Sequence, residues 1–150
     1  MKTEAPPGLK SGHRELHEEL ERAAQAGGKT GAAAQQVLRT LHPHILLEEE
    51  FAMPPLGLLR RLAAGEVTPD MAGILRTTDT LKAELPRMLD EHRLIVDALT
   101  KLMQAATSEQ QTGYARFAQK LILHAQMEEE VLYPAAILVG EYIKAKLGRE

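Results

Sequence analysis

The chain has 150 residues, 44% of them hydrophobic and 26% charged, a balance that suits one soluble globular domain with a sizeable core. Its 18 Lys and Arg against 21 Asp and Glu leave a net charge of -3, too acidic and too evenly mixed for a nucleic-acid footprint, and three Tyr with two Phe provide neither a base-stacking platform nor a membrane belt. With no Cys, thiolate catalysis and cysteine-held zinc or iron–sulfur sites are excluded, so any metal must rest on His, Asp and Glu.

Helix formers dominate and no segment alternates apolar with polar residues in the manner of a strand, so residues 1–150 are expected to form a single all-α domain. Residues 1–8 (MKTEAPPG) predict a flexible tail. The opening stretch is charged throughout and has no apolar leader core, which points to the cytoplasm. Ser11 is the candidate N-cap of a first helix that runs to Ala26 and ends at Gly27-Gly28, with Leu9, His13, Leu16, His17 and Leu20 on one side. A second helix, Gly31 to Phe51, repeats apolar residues at Val37, Leu41 and Ile45, with a kink predicted at Pro43 and a stop at Pro54-Pro55. Leu56 to Val67 predicts a loop with a short helical turn.

Thr68 as N-cap and Pro69 at the first helical position start a third helix that runs to Met103 and kinks or breaks near Pro86. Its inward stripe is Met88, His92, Ile95, Leu99 and Leu102. Gln104 to Gly113 predicts a loop. The fourth helix, from Tyr114, carries Phe117, Leu121, His124, Glu128 and Val131/Leu132 along one stripe and meets Pro134, and residues 140–150 form a charged C-terminal tail or helix. The longest nearly apolar run, Val131 to Gly140, is about half of the roughly 20 residues a membrane span requires. Four main helices with short links predict an antiparallel four-helix bundle.

An internal comparison carries the chemistry. HILLEEEFAMP, from His44, and HAQMEEEVLYP, from His124, align without a gap, 80 positions apart, while His13 and His92, each in a His-Arg pair, lie 79 apart. The chain is thus expected to hold two αα-hairpins, each contributing one His and one His-x3-Glu. Residues four apart on an α-helix differ by about 40° around the axis, so His44/Glu48 and His124/Glu128 each aim two side chains the same way, in line with the apolar stripes. Six titratable groups buried without partners would each cost several kcal/mol, roughly, and a metal would compensate them. Four imidazoles and two bridging carboxylates would serve two ions, with an oxide or hydroxide bridge completing about five donors each. Such a mixed set suits iron first and manganese second.

These residues resemble the hemerythrin-like HHE cation-binding domains: one His in the first helix, His-x3-Glu in the second, His in the third, and His-x3-Glu-Glu with a following aromatic-Pro in the fourth. The resemblance covers Gly8 to Pro134. It implies a non-haem di-iron centre bridged by Glu48 and Glu128, with His13, His44, His92 and His124 as terminal ligands, and chemistry with oxygen, peroxide or nitric oxide, or iron sensing. Oxygen-carrying hemerythrins have a further His one turn after the third-helix His, where this chain has Val96, and His-x4-Asp in the fourth helix. A sensor or scavenger is therefore expected ahead of a reversible carrier. The alternatives are iron storage, delivery or iron-centre repair, and a metal-free helical interaction bundle.

The remaining polar residues have plainer expectations. His17, one turn after His13, is an additional candidate imidazole whose default is the surface, and His42 should face outward or pack beside the Pro43 kink. Glu49, Glu50, Glu129 and Glu130 should form solvated faces, with one of Glu49 and Glu129 a candidate to hydrogen-bond a ligand from behind. Tyr133, the aromatic of the resembled motif, is a candidate to lie near the site, with a half-buried packing role as its default.

Overall fold

The computed structural model describes residues 3–149, which are helical throughout their ordered elements and contain no strand. The α-helices are α1 (Pro7–Ala24), α2 (Gly28–Leu47), α3 (Leu59–Ala63), α4 (Leu75–Ser108), α5 (Thr112–Met127) and α6 (Tyr133–Leu147). Single π-helical turns, Glu48–Ala52 and Glu128–Leu132, follow α2 and α5, and 3-10 turns at Pro54–Leu58 and Pro69–Ile74 lead into α3 and α4. The long α4 packs against α2 on one side and against α5 and α6 on the other, and α1 lies along α2. The helices pack as a bundle. No helix among the described residues is long and apolar enough to cross a membrane.

Several element boundaries differ from the sequence expectation, each for an identifiable reason. Helix α1 begins at Pro7 rather than Ser11, because Pro6 and Pro7 supply a preset φ and no N–H that needs a partner. Just upstream Ala5 is buried, and a Cβ on Gly57 would collide with the Glu4 carbonyl, so residues 4–5 are packed against the 3-10 turn. Met1 and Lys2, the rest of the expected tail, lie outside the described residues. Helix α4 passes through Pro86 without a break. Pro86 is exposed, which leaves water to take up the carbonyl bond it deletes. The expected loop from Gln104 is helical as far as Ser108, since Ala106 is fully buried, and the turn is confined to residues 109–111 with Gln110 at φ 61°.

Pro134 does not end the fourth bundle helix. The π turn precedes it, and Pro134 falls in the first turn of α6, a position that proline's fixed φ suits. The helix then continues to Leu147 and closes on Gly148 in the left-handed conformation at φ 68°. Thr68 precedes a 3-10 turn rather than an α-turn, and its hydroxyl donates to the Asp70 carboxylate instead of capping the backbone.

The core has three clusters along the bundle. Leu20, Val37, Leu99, Leu102, Phe117 and Leu121 fill one end; Leu81, Met88, Tyr133 and Ala136 lie further along; Met71, Ile74, Val139 and Ile143 close the other end. His92, on α4 between Met88 and Ile95, marks the level at which the first two clusters meet.

Helix α2 starts three residues earlier than expected, and its cap comes from far away. The Glu109 carboxylate accepts from the Thr30 N–H at 2.6 Å, the Lys29 N–H at 3.1 Å and the Thr30 hydroxyl at 2.6 Å, serving the orphan donors of the first turn. Gly28, at φ 60°, makes room, because a Cβ there would stand 2.5 Å from a Glu109 carboxylate oxygen. The Thr30 side-chain and backbone hydrogen bonds, followed by that of Lys29, hold the Glu109 carboxyl below its ordinary value. A depressed folded-state pKa stabilises the fold above the ordinary carboxylate range and ceases to do so as pH falls through the folded value. Glu109→Gln is therefore expected to lower Tm at neutral pH, with the gap to the parent protein closing in strong acid; paired melts across pH check it. A gap independent of pH would mean that the carboxylate charge plays no part.

Candidate metal centre

Each π turn begins at the Glu of a His-x3-Glu pair, Glu48 in the first repeat and Glu128 in the second. Within each helix the i to i+4 spacing brings His44 over Glu48 and His124 over Glu128, and both carboxylates are buried. His92 enters from α4 and His13 from α1. Glu128 is the hub: its Oε1 lies 3.4 Å from His92 Nε2, and its Oε2 lies 3.3 Å from His13 Nε2 and 3.4 Å from His124 Nε2. Glu48 lies 3.8 Å from both His13 Nε2 and His44 Nε2. The rings of His13 and His124 are 5.5 Å apart, those of His44 and His92 4.5 Å.

The structure thus brings together all six residues expected to form the site, in two groups with ligand geometry: His44, Glu48, His92 and Glu128, all buried, and His13, His124 and Glu128, with the imidazoles half-buried. The first group could hold a metal ion. His17 is not in either group; its Nδ1 meets Glu21 at 2.9 Å and a third of its side chain is exposed. His42 faces outward as expected.

Two outer carboxylates orient the rings. Glu129 Oε1 is 3.0 Å from His92 Nδ1, the role foreseen for one of Glu49 and Glu129, and Glu91 Oε1 is 3.1 Å from His44 Nδ1, which the sequence did not suggest because the contact crosses from α4 to α2. A carboxylate at Nδ1 selects the tautomer with the proton there and turns an Nε2 lone pair inward. Burial lowers the pKa of His44, only partly offset by Glu91, and keeps this ring neutral.

Tyr133 departs most from expectation. It is fully buried, not half-buried, and its hydroxyl donates to Glu48 Oε2 at 2.7 Å while lying 2.9 Å from Nε2 of both His44 and His92. Burial and the neighbouring carboxylates push its pKa far above the ordinary phenol value. Burial and then the neighbouring Glu128 carboxyl push Glu48 well up, whereas for Glu128 burial is outweighed by Glu48, His124, His13 and His92, which hold it well down.

The donor inventory suits a cation. One phenol proton faces three acceptors, Glu48 Oε2 and two inward Nε2 lone pairs, so two are left without a donor. In addition, His124 Nε2, which faces Glu128, is buried with no hydrogen-bond partner. Each such group costs about 1–3 kcal/mol, and a positive ion among the converging lone pairs would satisfy several together.

Access is uneven. A cavity of about 30 Å³ touches the centre, walled by Leu16, Leu41, Ile95, Leu99 and Leu121. A surface cleft of about 940 Å³ between α1 and α2 has His13 in its wall, with Lys10, His17, His42, Ile45 and Glu49. Comparison of the chain with protein-family models, with curated proteins and with solved structures finds no match to any of them.

Proposed function

We propose that the protein is a hemerythrin-like, non-haem di-iron protein that binds or reacts with oxygen, peroxide or nitric oxide. The observation that carries this reading is the double membership of Glu128, whose two oxygens face imidazoles of both metal-competent groups. His44 and His92 would hold one ion, His13 and His124 the other, and Glu48 and Glu128 would bridge them. Bound iron supplies redox chemistry that the side chains alone lack. The chain's own part is to fix the imidazoles through Glu91 and Glu129, to exclude bulk water with the leucine-walled cavity, and to admit small molecules through the cleft at His13. Val96, one turn after His92, offers no further imidazole, which favours a sensor or scavenger over a reversible carrier.

One observation favours a second reading, iron storage, delivery or repair. The His124 side chain is 23% exposed, so an ion at the His13–His124 half would exchange more readily than one at the buried half. Challenge with a mild chelator separates the two, a sensor or scavenger retaining its iron and a delivery protein losing it.

Metal analysis of protein made in iron-replete medium tests the site itself. About two irons per chain are expected. A ligand that binds only the folded state at a thousandfold excess over Kd adds about 4 kcal/mol, so Tm should rise by roughly 10 °C on loading. Protein that takes up no metal, with an unchanged melt, would leave the interaction bundle as the reading.

A further inference from the structure

We propose that Tyr133 is a phenolate ligand of the ion at the His44–His92 position, which makes the two halves of the centre chemically unequal. The inference rests on the metal reading above and adds a donor that the duplicated His and Glu pattern does not contain. Its first support is position. The phenol oxygen lies within 2.9 Å of three atoms, His44 Nε2, His92 Nε2 and Glu48 Oε2, each of which belongs to a residue of the buried group. An oxygen merely filling space would not sit at the focus of three ligand atoms.

The second support is backbone geometry. On a regular α-helix, residues five apart point about 140° away from each other, so Glu128 and Tyr133 would face different ways. Here the Tyr133 N–H donates to the Glu128 carbonyl across the π turn, and this i to i+5 register brings residue 133 back to the face of residue 128. The turn thus delivers two oxygen donors, a carboxylate and a phenol, to one place.

The third support is the contrast between the repeats. The first hairpin has the same π turn, with the Met53 N–H donating to the Glu48 carbonyl at 2.9 Å, but the residue there is Met53, a soft thioether. Only the second hairpin offers a hard, anionic oxygen. As the oxygen–metal bond forms, the phenol O–H breaks and its proton leaves to solvent; no electron changes hands. The His44–His92 half is then filled by protein donors, and the His13–His124 half, beside the cleft, is left to take up incoming small molecules.

The test is spectroscopic. Protein loaded with ferric iron is expected to show a visible phenolate-to-iron(III) charge-transfer band whose resonance Raman spectrum contains enhanced tyrosinate ring modes. Tyr133→Phe should lose the band and keep its iron, and Tyr142→Phe, altered at a residue outside the centre beneath Lys146, should keep both. Iron bound to the parent protein without tyrosinate modes would overturn the ligation while leaving the metal reading in place. Failure to bind iron at all would overturn both. Should Tyr133→Phe not fold, the Raman spectrum of the parent protein decides, and loading it with redox-silent gallium(III) should give the near-ultraviolet difference spectrum of a phenolate; its absence counts against the proposal.

Discussion

Replacing Glu128 by Ala is expected to cost the protein both metal ions together. Among the described residues no other side chain stands in both metal-competent groups, and its two oxygens reach imidazoles from α1, α4 and α5, at 3.3, 3.4 and 3.4 Å. Its removal takes a donor from each half and leaves Glu48 as the sole buried carboxylate among the described residues. Loss of an outer hydrogen-bond partner weakens metal binding roughly 10–100-fold, and loss of a shared ligand should exceed that. Glu130→Ala, at an exposed carboxylate that accepts from Gln126 at 3.0 Å, should leave the metal content unchanged. The check is metal per chain, with circular dichroism to confirm that the helices persist. Retention of one tightly held ion by Glu128→Ala would show that the halves are independent.

The second large effect is expected in the core. Leu102 is fully buried in the cluster that also contains Leu20, Val37, Leu99 and Phe117, where α1, α2, α4 and α5 meet. Leu102→Ala removes its methyl groups and leaves a cavity that helices pinned on all sides refill only partly, a loss of about 2–5 kcal/mol. For a chain of this length that is a fall in Tm of roughly 5–15 °C. Leu94 is on the same helix and 62% exposed, so Leu94→Ala should stay within about 0.5 kcal/mol of the parent. Similar melts for the two variants would mean that the inward face of α4 has been misassigned.

What the sequence disclosed and what it withheld divide along the range of the interactions. His44 over Glu48, and His124 over Glu128, are local spacings on one helix, and the 80-residue repeat marks them twice. The apolar stripe of α4 is of the same kind, and Met88, His92, Ile95, Leu99 and Leu102 are all buried. The sequence makes Tyr133 a candidate to lie near the site but does not disclose its full burial, because a 3.6-residue period places it off the metal-facing stripe and no residue pattern announces a π turn. Glu91 was missed because its partner, His44, is on another helix, so no spacing along α4 reports the contact. The first turn of α2 was missed for the same reason. Its cap is 79 residues away in sequence, on a segment expected to be a loop.

That remote cap imposes an order on assembly. A helix whose opening turn is completed by its own neighbours can form as soon as it is made, but Lys29 and Thr30 obtain their acceptor only when the chain has been extended to Glu109 and α4 has come to lie beside α2. The loop that closes this contact is long, so the ordering entropy falls late, on a step that also brings His44 to His92. The first hairpin, released alone from a ribosome or a protease, has the residues of half a metal site and lacks the carboxylate that would hold its second helix in place. Nascent chains shorter than 109 residues should therefore depend on protection from aggregation to a degree that the finished bundle does not.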